Sequence, residues 1–388
     1  MAADLPLKPF GYTAPQIHFG AGALSRLGSA LRGLGASRAL LVCDAHLTQA
    51  DLATLVAEAS QGRVAGVWSR VETDAPRASV EAAADEARRL DVDAVVALGS
   101  GSALHTGKAA ALLARRGDTL GRTSGTVHVE ERGLPVIAIP TTAGNGSEVS
   151  GVAVVKHADL RRKQILVGRA LQPEVVLLDP TLLTTVASDL TAATGVDALT
   201  HAFEGLTSTD RHPISTALGL ESVHLLRSWL PRAVAAPLDL DARGHTLLAS
   251  AMAGQLATTA YGGVARAVIH ALSLGWDTRQ GLASAAVLPW SIRFNASDAT
   301  AAAIYARTAP TFGVAAASDD REAARALADK LERFAADLGL PTRLGALGLG
   351  ASDLERLSEL AFADASHATN PVRLESARGL ADALKTLV

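Results

Sequence analysis

Cysteine is nearly absent: Cys43 is the only one in 388 residues. No intrachain disulfide is therefore possible, and a reducing compartment is the simpler setting. Aromatic residues make up only 4% of the chain, no basic cluster is interleaved with them, and the formal net charge is -3. That combination argues against nucleic acid as the main partner and leaves a small polar or anionic ligand open. No uninterrupted apolar run approaches the roughly 18 residues of a membrane span. The N-terminus shows no basic segment followed by an apolar stretch. A soluble, cytoplasmic protein is expected. What the chain does have is length and apolar content: 48% hydrophobic against 19% charged, enough for two domains with substantial cores.

Periodicity divides the chain. From Gln16 to about Pro180, β-rich runs (39–44, 94–99, 135–141) alternate with Ala-rich helical stretches such as 79–90. This alternation is the signature of βαβ units and a parallel sheet. After Pro180 the strands stop, and helical stretches follow at 189–207, 213–235, 241–260, 263–274 and several times between 299 and 387. The expected organisation is an α/β domain over 1–182 and an all-helical domain over 183–388. Pro180 stops the preceding strand, and Ser188 is placed to cap the next helix.

Two loops suggest phosphate binding. Strand 94–99 runs into Gly99, Ser100, Gly101 and Ser102, with a helix carrying Lys108 directly after. Free backbone N–H groups at a positive helix end suit the pyrophosphate of a dinucleotide, although a tight βα turn needs small residues for steric reasons alone. The loop PTTAGNGSEVS (140–150) adds Thr141, Thr142, Asn145 and Ser147, more small donors than a plain connection requires. Loops at the carboxyl ends of parallel strands line one crevice. Asp44, ending strand 39–44, can accept from an adenosine ribose and would repel a 2′-phosphate. That favours NAD over NADP; the alternative for Asp44 is a helix cap. Farther on, Asp197 and His201 in GVDALTHAFEG are at i and i+4 on one helix face and could supply two ligands of a Zn or Fe site. Two ligands alone seldom hold a catalytic metal.

GSGSALHTGKAAAL, PTTAGNGSEVS, the DP at 179–180, LTAATGVDALTHAFEG, HPISTALGLES and GLASAAVLPW stand in order along nearly the whole chain. Together they resemble successive blocks of the iron-containing, group III alcohol dehydrogenase family of the dehydroquinate synthase-like superfamily. ATNPVRLESARGLADAL is similar to the C-terminal stretch of the maleylacetate reductases in that group. The resemblance implies a Rossmann-like NAD(P) domain, an all-helical domain and an active-site cleft between them. It implies pyrophosphate at Gly99, Ser100, Gly101 and Ser102, and nicotinamide and its ribose at Thr141, Thr142 and Ser147. Lys163 also falls at the cofactor. Metal-binding members use an Asp and a His on one helix, here Asp197 and His201, then the first His of an HxxxH pattern and another His ten residues after the second. Those last two positions carry Arg266 and Gln280, while His270 keeps the second place of HxxxH. His105 stands where many relatives have Asp.

An arginine stays protonated and has no lone pair to donate, so Arg266 excludes a cation from its own position and no resident metal is expected. Two readings of Arg266 follow: it pairs with Asp197 and presents its guanidinium to a substrate carbonyl or carboxylate, or it is a plain ion pair that preserves packing. On the first reading, an Ala at 266 is expected to cost turnover far more than folding. His270 suits proton transfer; His105 either donates to substrate or caps its helix; Tyr261 is a further cleft candidate. Glu204 reads as a support for its helix rather than a base. The function expected is NAD(P)-dependent reduction of a small carbonyl compound, or oxidation of the alcohol, with a keto acid favoured by Arg266. The alternatives are a non-redox lyase or cyclase on the same scaffold, or a catalytically silent nucleotide-binding protein. A homodimer is expected by resemblance.

Overall fold

The computed structural model describes residues 9–117, 120, 125–157, 162–260, 262–315 and 317–388, without the side chain of residue 259. Tyr261 lies outside them. Two compact units emerge: one is Thr13–Val186 with Leu238–Gly254, the other Ala187–Pro237 and Gln255–Val388 with the described residues up to Tyr12.

The first unit is built from β1 (Gln16–Phe19), α1 (Leu27–Gly33), β2 (Ala39–Cys43), α2 (Ala45–Gln49), α3 (Leu52–Ala59), β3 (Val64–Trp68), α4 (Arg77–Arg89), β4 (Ala94–Gly99), α5 (Gly101–Arg116), β5 (Gly125–His128), β6 (Val136–Pro140), β7 (Val152–His157), β8 (Arg162–Val167) and β9 (Val175–Leu178). Six strands form one parallel sheet in the order β1-β9-β6-β4-β2-β3. β2, β4, β6 and β9 are buried along their whole length, which is why they read as continuous apolar runs rather than alternating ones. Cys43 is buried in β2. β4 and β2 lie side by side with Gly99 at the carboxyl end of β4, so the turn after β4 and Asp44 after β2 open at the same edge of the sheet.

The sequence gives no warning of the second, three-stranded sheet. β7 and β8 form an antiparallel hairpin and β5 adds parallel to β8. Residues 238–254 also join this unit: Arg243 Nη2 donates to the carbonyl of Val186 at 2.8 Å, and Leu247 and Ala251 pack into the sheet's core.

The second unit is helical: α6 (Ser188–Thr207), α7 (Pro213–Ala235), the end of α8 (Leu240–Thr259), α9 (Val264–Trp276), α10 (Gln280–Asn295), α11 (Ala299–Thr308), α12 (Asp320–Asp337), α13 (Leu354–Phe362) and α14 (Ala377–Leu384). Ser188 does not cap α6. Ala187 occupies the cap position, and the Ser188 hydroxyl instead donates to the carbonyl of Val234 at the end of α7. α9 is buried along almost its entire length, with Val264, Val268, Ile269 and Leu272 in one core with α10, α13 and α14. Arg266 and His270 are thus polar groups inside an apolar helix environment, where burial is costly unless each is paired.

Candidate active site

In the sheet unit the two expected loops meet. Gly99 has φ +140, a conformation that side chains rarely adopt, and a Cβ there would stand 2.8 Å from Asp44 Oδ2. A Cβ at Gly101 would be 2.3 Å from Asn145 Nδ2, so the turn after β4 and loop 140–150 press together only because residue 101 lacks a side chain. Ser100 precedes α5 in extended conformation and its own side chain makes no cap bond, a setting in which the positive helix end suits an anion. Asp44 stands at the cap position of α2 but makes no cap bond, and its buried Oδ2 finds no partner among the described residues. Burial pushes this carboxyl upward. An orphaned acceptor beside a Gly-rich turn is what a ribose hydroxyl would satisfy, so these residues fit a dinucleotide.

Loop 140–150 is held from below. Thr141 N donates to the carbonyl of Gly99 at 3.0 Å, and the Ser250 hydroxyl donates to that of Gly144 at 3.0 Å. Ser147 N donates to Asn145 Oδ1 at 3.0 Å, and the Ser147 hydroxyl lies 3.1 Å from His105 Nε2. His105 is thus inside α5 and engaged with the loop rather than capping the helix. Lys108 does not turn its charge toward the phosphate turn. Its buried Nζ donates to the carbonyls of Ser147, Ser150 and Val152 and so stitches α5 to the loop. Burial lowers its pKa and raises that of the neighbouring Glu148.

Lys163, on β8, lies with Nζ 3.3 Å from Asp74 Oδ1, and Asp74 N donates to the Ser102 hydroxyl at 3.1 Å. Asp74 therefore links Lys163 to the Gly-rich turn, a connection sequence reasoning missed. Its only sequence trace is the turn composition of TDAP around it.

In the helical unit, Arg266 Nη2 lies 3.2 Å from Asp197 Oδ1 and Nη1 lies 3.5 Å from Gln280 Oε1. The Ser284 hydroxyl reaches Asp197 Oδ1 at 2.6 Å. Burial opposes the charge on Asp197, but Arg266 and the hydrogen bond from Ser284 outweigh it and hold the carboxyl below its ordinary range. His201 Nε2 is 3.9 Å from Asp197 Oδ2, too far for a hydrogen bond, and burial with Arg266 nearby drives its pKa down to about 3. The imidazole is neutral throughout the physiological range.

Glu204, expected to support its own helix, instead supports the start of α9: its Oε1 accepts from Arg266 N at 2.8 Å, inside the first turn of that helix. Burial raises its pKa to about 7. His270, one turn beyond Arg266 on α9, has Nδ1 2.9 Å from Asp364 Oδ2. Asp364 is the other group sequence reasoning missed. Burial disfavours its charge, but the adjoining His270 and Ser366 more than compensate and bring it to about 2.

This donor set does not fit a metal. The guanidinium occupies the approach to Asp197 and offers only N–H donors, so the four positions supply one carboxylate, one imidazole and one amide beside a fixed positive charge. Among the described residues no group of three or more His, Cys, Asp or Glu side chains is arranged to hold a metal ion. Among the described residues no helix is long and apolar enough to cross a membrane.

Comparison with known proteins covers nearly the whole chain. It is 30% identical over 378 residues to the NAD-dependent methanol dehydrogenase of Bacillus methanolicus, covering 96% of this chain and 98% of that one. Its fold superposes on a 1,3-propanediol oxidoreductase with a TM-score of 0.93 at 28% identity, over 98% of this chain and 100% of the other. The maleylacetate reductase of Agrobacterium tumefaciens matches with a TM-score of 0.81 at 29% identity, over 98% of each chain. The model of the iron-containing alcohol dehydrogenase family matches residues 14–180, and that of the family's C-terminal part matches residues 191–383. With both halves matched in order, this chain belongs to the iron-containing alcohol dehydrogenase family, as a member with a degenerate metal site.

Proposed function

We propose that the protein is an NAD(P)-linked reductase of a small carbonyl compound, acting without a metal, in which Arg266 takes the electrostatic part of the cation. The observation that carries this reading is the Arg266–Asp197 contact of 3.2 Å at the family's metal position. When bound, the reduced nicotinamide supplies the hydride. Gly99, Ser100, Gly101 and Ser102 with the end of α5 hold the pyrophosphate, and Thr141, Thr142 and Ser147 hold the nicotinamide side. Lys163 acts at the cofactor through Asp74. Asp44, with its unpartnered oxygen, accepts from the adenosine ribose and repels a 2′-phosphate, so NAD is preferred to NADP.

On the helical unit, Arg266 keeps N–H groups beyond those given to Asp197 and Gln280; its buried Nε lies 4.0 Å from Glu204 Oε2 and makes no hydrogen bond among the described residues. Those donors polarise the carbonyl and stabilise negative charge as it develops on oxygen. His270 then delivers the proton. Asp197 holds the guanidinium, and His201 stays a neutral donor or acceptor beside it. A keto acid fits the positive group best, and the likeness to maleylacetate reductase supports such a substrate. A homodimer, the state the family resemblance implies, is the assembly proposed.

The test is turnover of NADH with a panel of neutral aldehydes and keto acids, alongside metal analysis of the same sample. Reduction that persists in metal-free protein is expected. Activity that disappears with chelation and returns with Zn or Fe overturns the proposal.

A further inference from the structure

The turn after α13 holds a carboxylate that the chemistry above leaves without a role. Asp364 caps the short 3-10 turn Ala365–Thr369: its Oδ1 accepts from Ser366 N at 2.8 Å, while Oδ2 lies 2.9 Å from His270 Nδ1. The same turn ends at Asn370, whose Oδ1 accepts from Val264 N at 3.0 Å and from Asn295 Nδ2 at 3.1 Å. Asn370 in turn donates to Asn295 Oδ1 at 2.7 Å. The turn is therefore fastened to α9 at its first residue and again at His270, roughly 9 Å further along the helix axis. The side chains of His270 and Asp364 are only 5% and 11% exposed, so water screens their contact little.

We propose that Asp364 is a positioning residue for the reduction: it fixes one proton of His270 on Nδ1, orients the ring and leaves Nε2 to deliver the other. This inference rests on His270 being the proton donor. In the step itself, the carbonyl oxygen, negatively charged once hydride has reached its carbon, forms an O–H bond as the Nε2–H bond breaks. The electron pair of that bond stays on the ring, which passes from imidazolium to neutral imidazole. Nδ1–H remains donated to Asp364 throughout, and the carboxylate never takes the proton. A carboxylate held at Oδ1 by the turn cannot follow the ring if the ring rotates away from Oδ2, so the contact selects one tautomer and one orientation.

The experiment compares full-length wild type, Asp364→Asn, Asp364→Glu and His270→Ala, using NADH and a carbonyl compound that the wild type reduces. Asp364→Asn is expected to lower kcat about 100-fold, inside the 10²–10⁴ range of a positioned acid, while KM and NADH affinity hold. Its solvent deuterium isotope effect on kcat should rise as proton delivery becomes limiting, and Asp364→Glu should recover part of the rate. Asp364→Asn with wild-type kcat and isotope effect, beside an impaired His270→Ala, overturns the role of Asp364 alone. An unimpaired His270→Ala overturns the reading of His270 and this inference with it. Should the Asp364 variants fail to fold, nitrogen-15 NMR of the wild-type ring decides: a proton on Nδ1 is expected, and a neutral ring protonated only at Nε2 refutes the positioning role.

Discussion

Replacing Arg266 with alanine should cost folding as well as turnover, although the sequence alone points to turnover. The guanidinium and the Asp197 carboxylate are 4% and 7% exposed and 3.2 Å apart, so removing the arginine leaves a buried carboxylate that keeps, among the described residues, Ser284 and a neutral His201 beside it. Breaking a buried pair from one side costs about 3–5 kcal/mol, a large share of the roughly 5–15 kcal/mol that holds a domain together. The loss should depend on pH in a definite direction. In the wild type Asp197 is depressed below its unfolded value, so its contribution is present above that value and fades as acid protonates the carboxyl. Without Arg266, burial is left largely unopposed and the carboxyl shifts upward. The folded variant then favours the protonated form, and its deficit grows as pH rises. Urea unfolding of the wild type, Arg266→Ala and the double variant Asp197→Asn with Arg266→Met, at about pH 5 and about pH 8, measures this. The double variant should regain most of the stability, because both charges are gone and the volume is kept. Its turnover should stay down by about 10²–10³-fold, the usual cost of losing an oxyanion-type donor. A double variant that regains turnover together with stability would refute the electrostatic role. An Arg266→Ala deficit that is the same at both pH values would refute the assignment of that deficit to Asp197.

Two further outcomes are expected. Asp44→Ala should narrow the preference for NADH over NADPH, read as the ratio of kcat/KM values; a ratio unchanged from wild type would remove Asp44 from ribose selection. Glu204, ordinarily near 4.5 and raised to about 7 by burial, makes the folded state bind a proton that the unfolded chain releases in this window. Stability should therefore fall as pH rises from the lower value to the higher, and Glu204→Gln should flatten that part of the urea midpoint profile. A profile as steep as wild type would assign the slope elsewhere.

Much of the architecture was legible because burial on both faces leaves a strong mark. β2 and β4 are wholly buried and read as apolar runs, and the long helices from α6 through α9 announced themselves by length and spacing. The β7–β8 hairpin was not legible: VAVVKH and RKQILV carry charges, and the residues joining them offer no two-residue turn signal. α10 escaped notice because GLASAAVLPW lacks a one-sided apolar stripe and carries Pro289. At the candidate site, pairs on one helix such as Asp197 and His201 are readable from spacing alone. Asp364 acts on His270 from 94 positions away, and Asp74 reaches Lys163 from 89. No local periodicity encodes such contacts. Lys108 shows the converse error, since a lysine behind a phosphate turn suggests an anion, and only the fold reveals that carbonyl oxygens use it up.

Neither unit is a continuous length of chain. The polypeptide passes from one to the other after residues 12, 186, 237 and 254. Tyr12, whose hydroxyl donates to Gln255 Oε1 at 2.7 Å, leaves the ribosome long before its partner. Closing a loop of this length carries an entropy cost that grows only slowly with length, but the closure cannot begin until the distant segment exists. During synthesis the helical unit therefore has to wait with its N-terminal piece unpartnered, while most of the sheet is already available to fold. A gene cut at one point cannot yield the two units as separate, complete pieces, and each half made that way would lack a segment carried by the other.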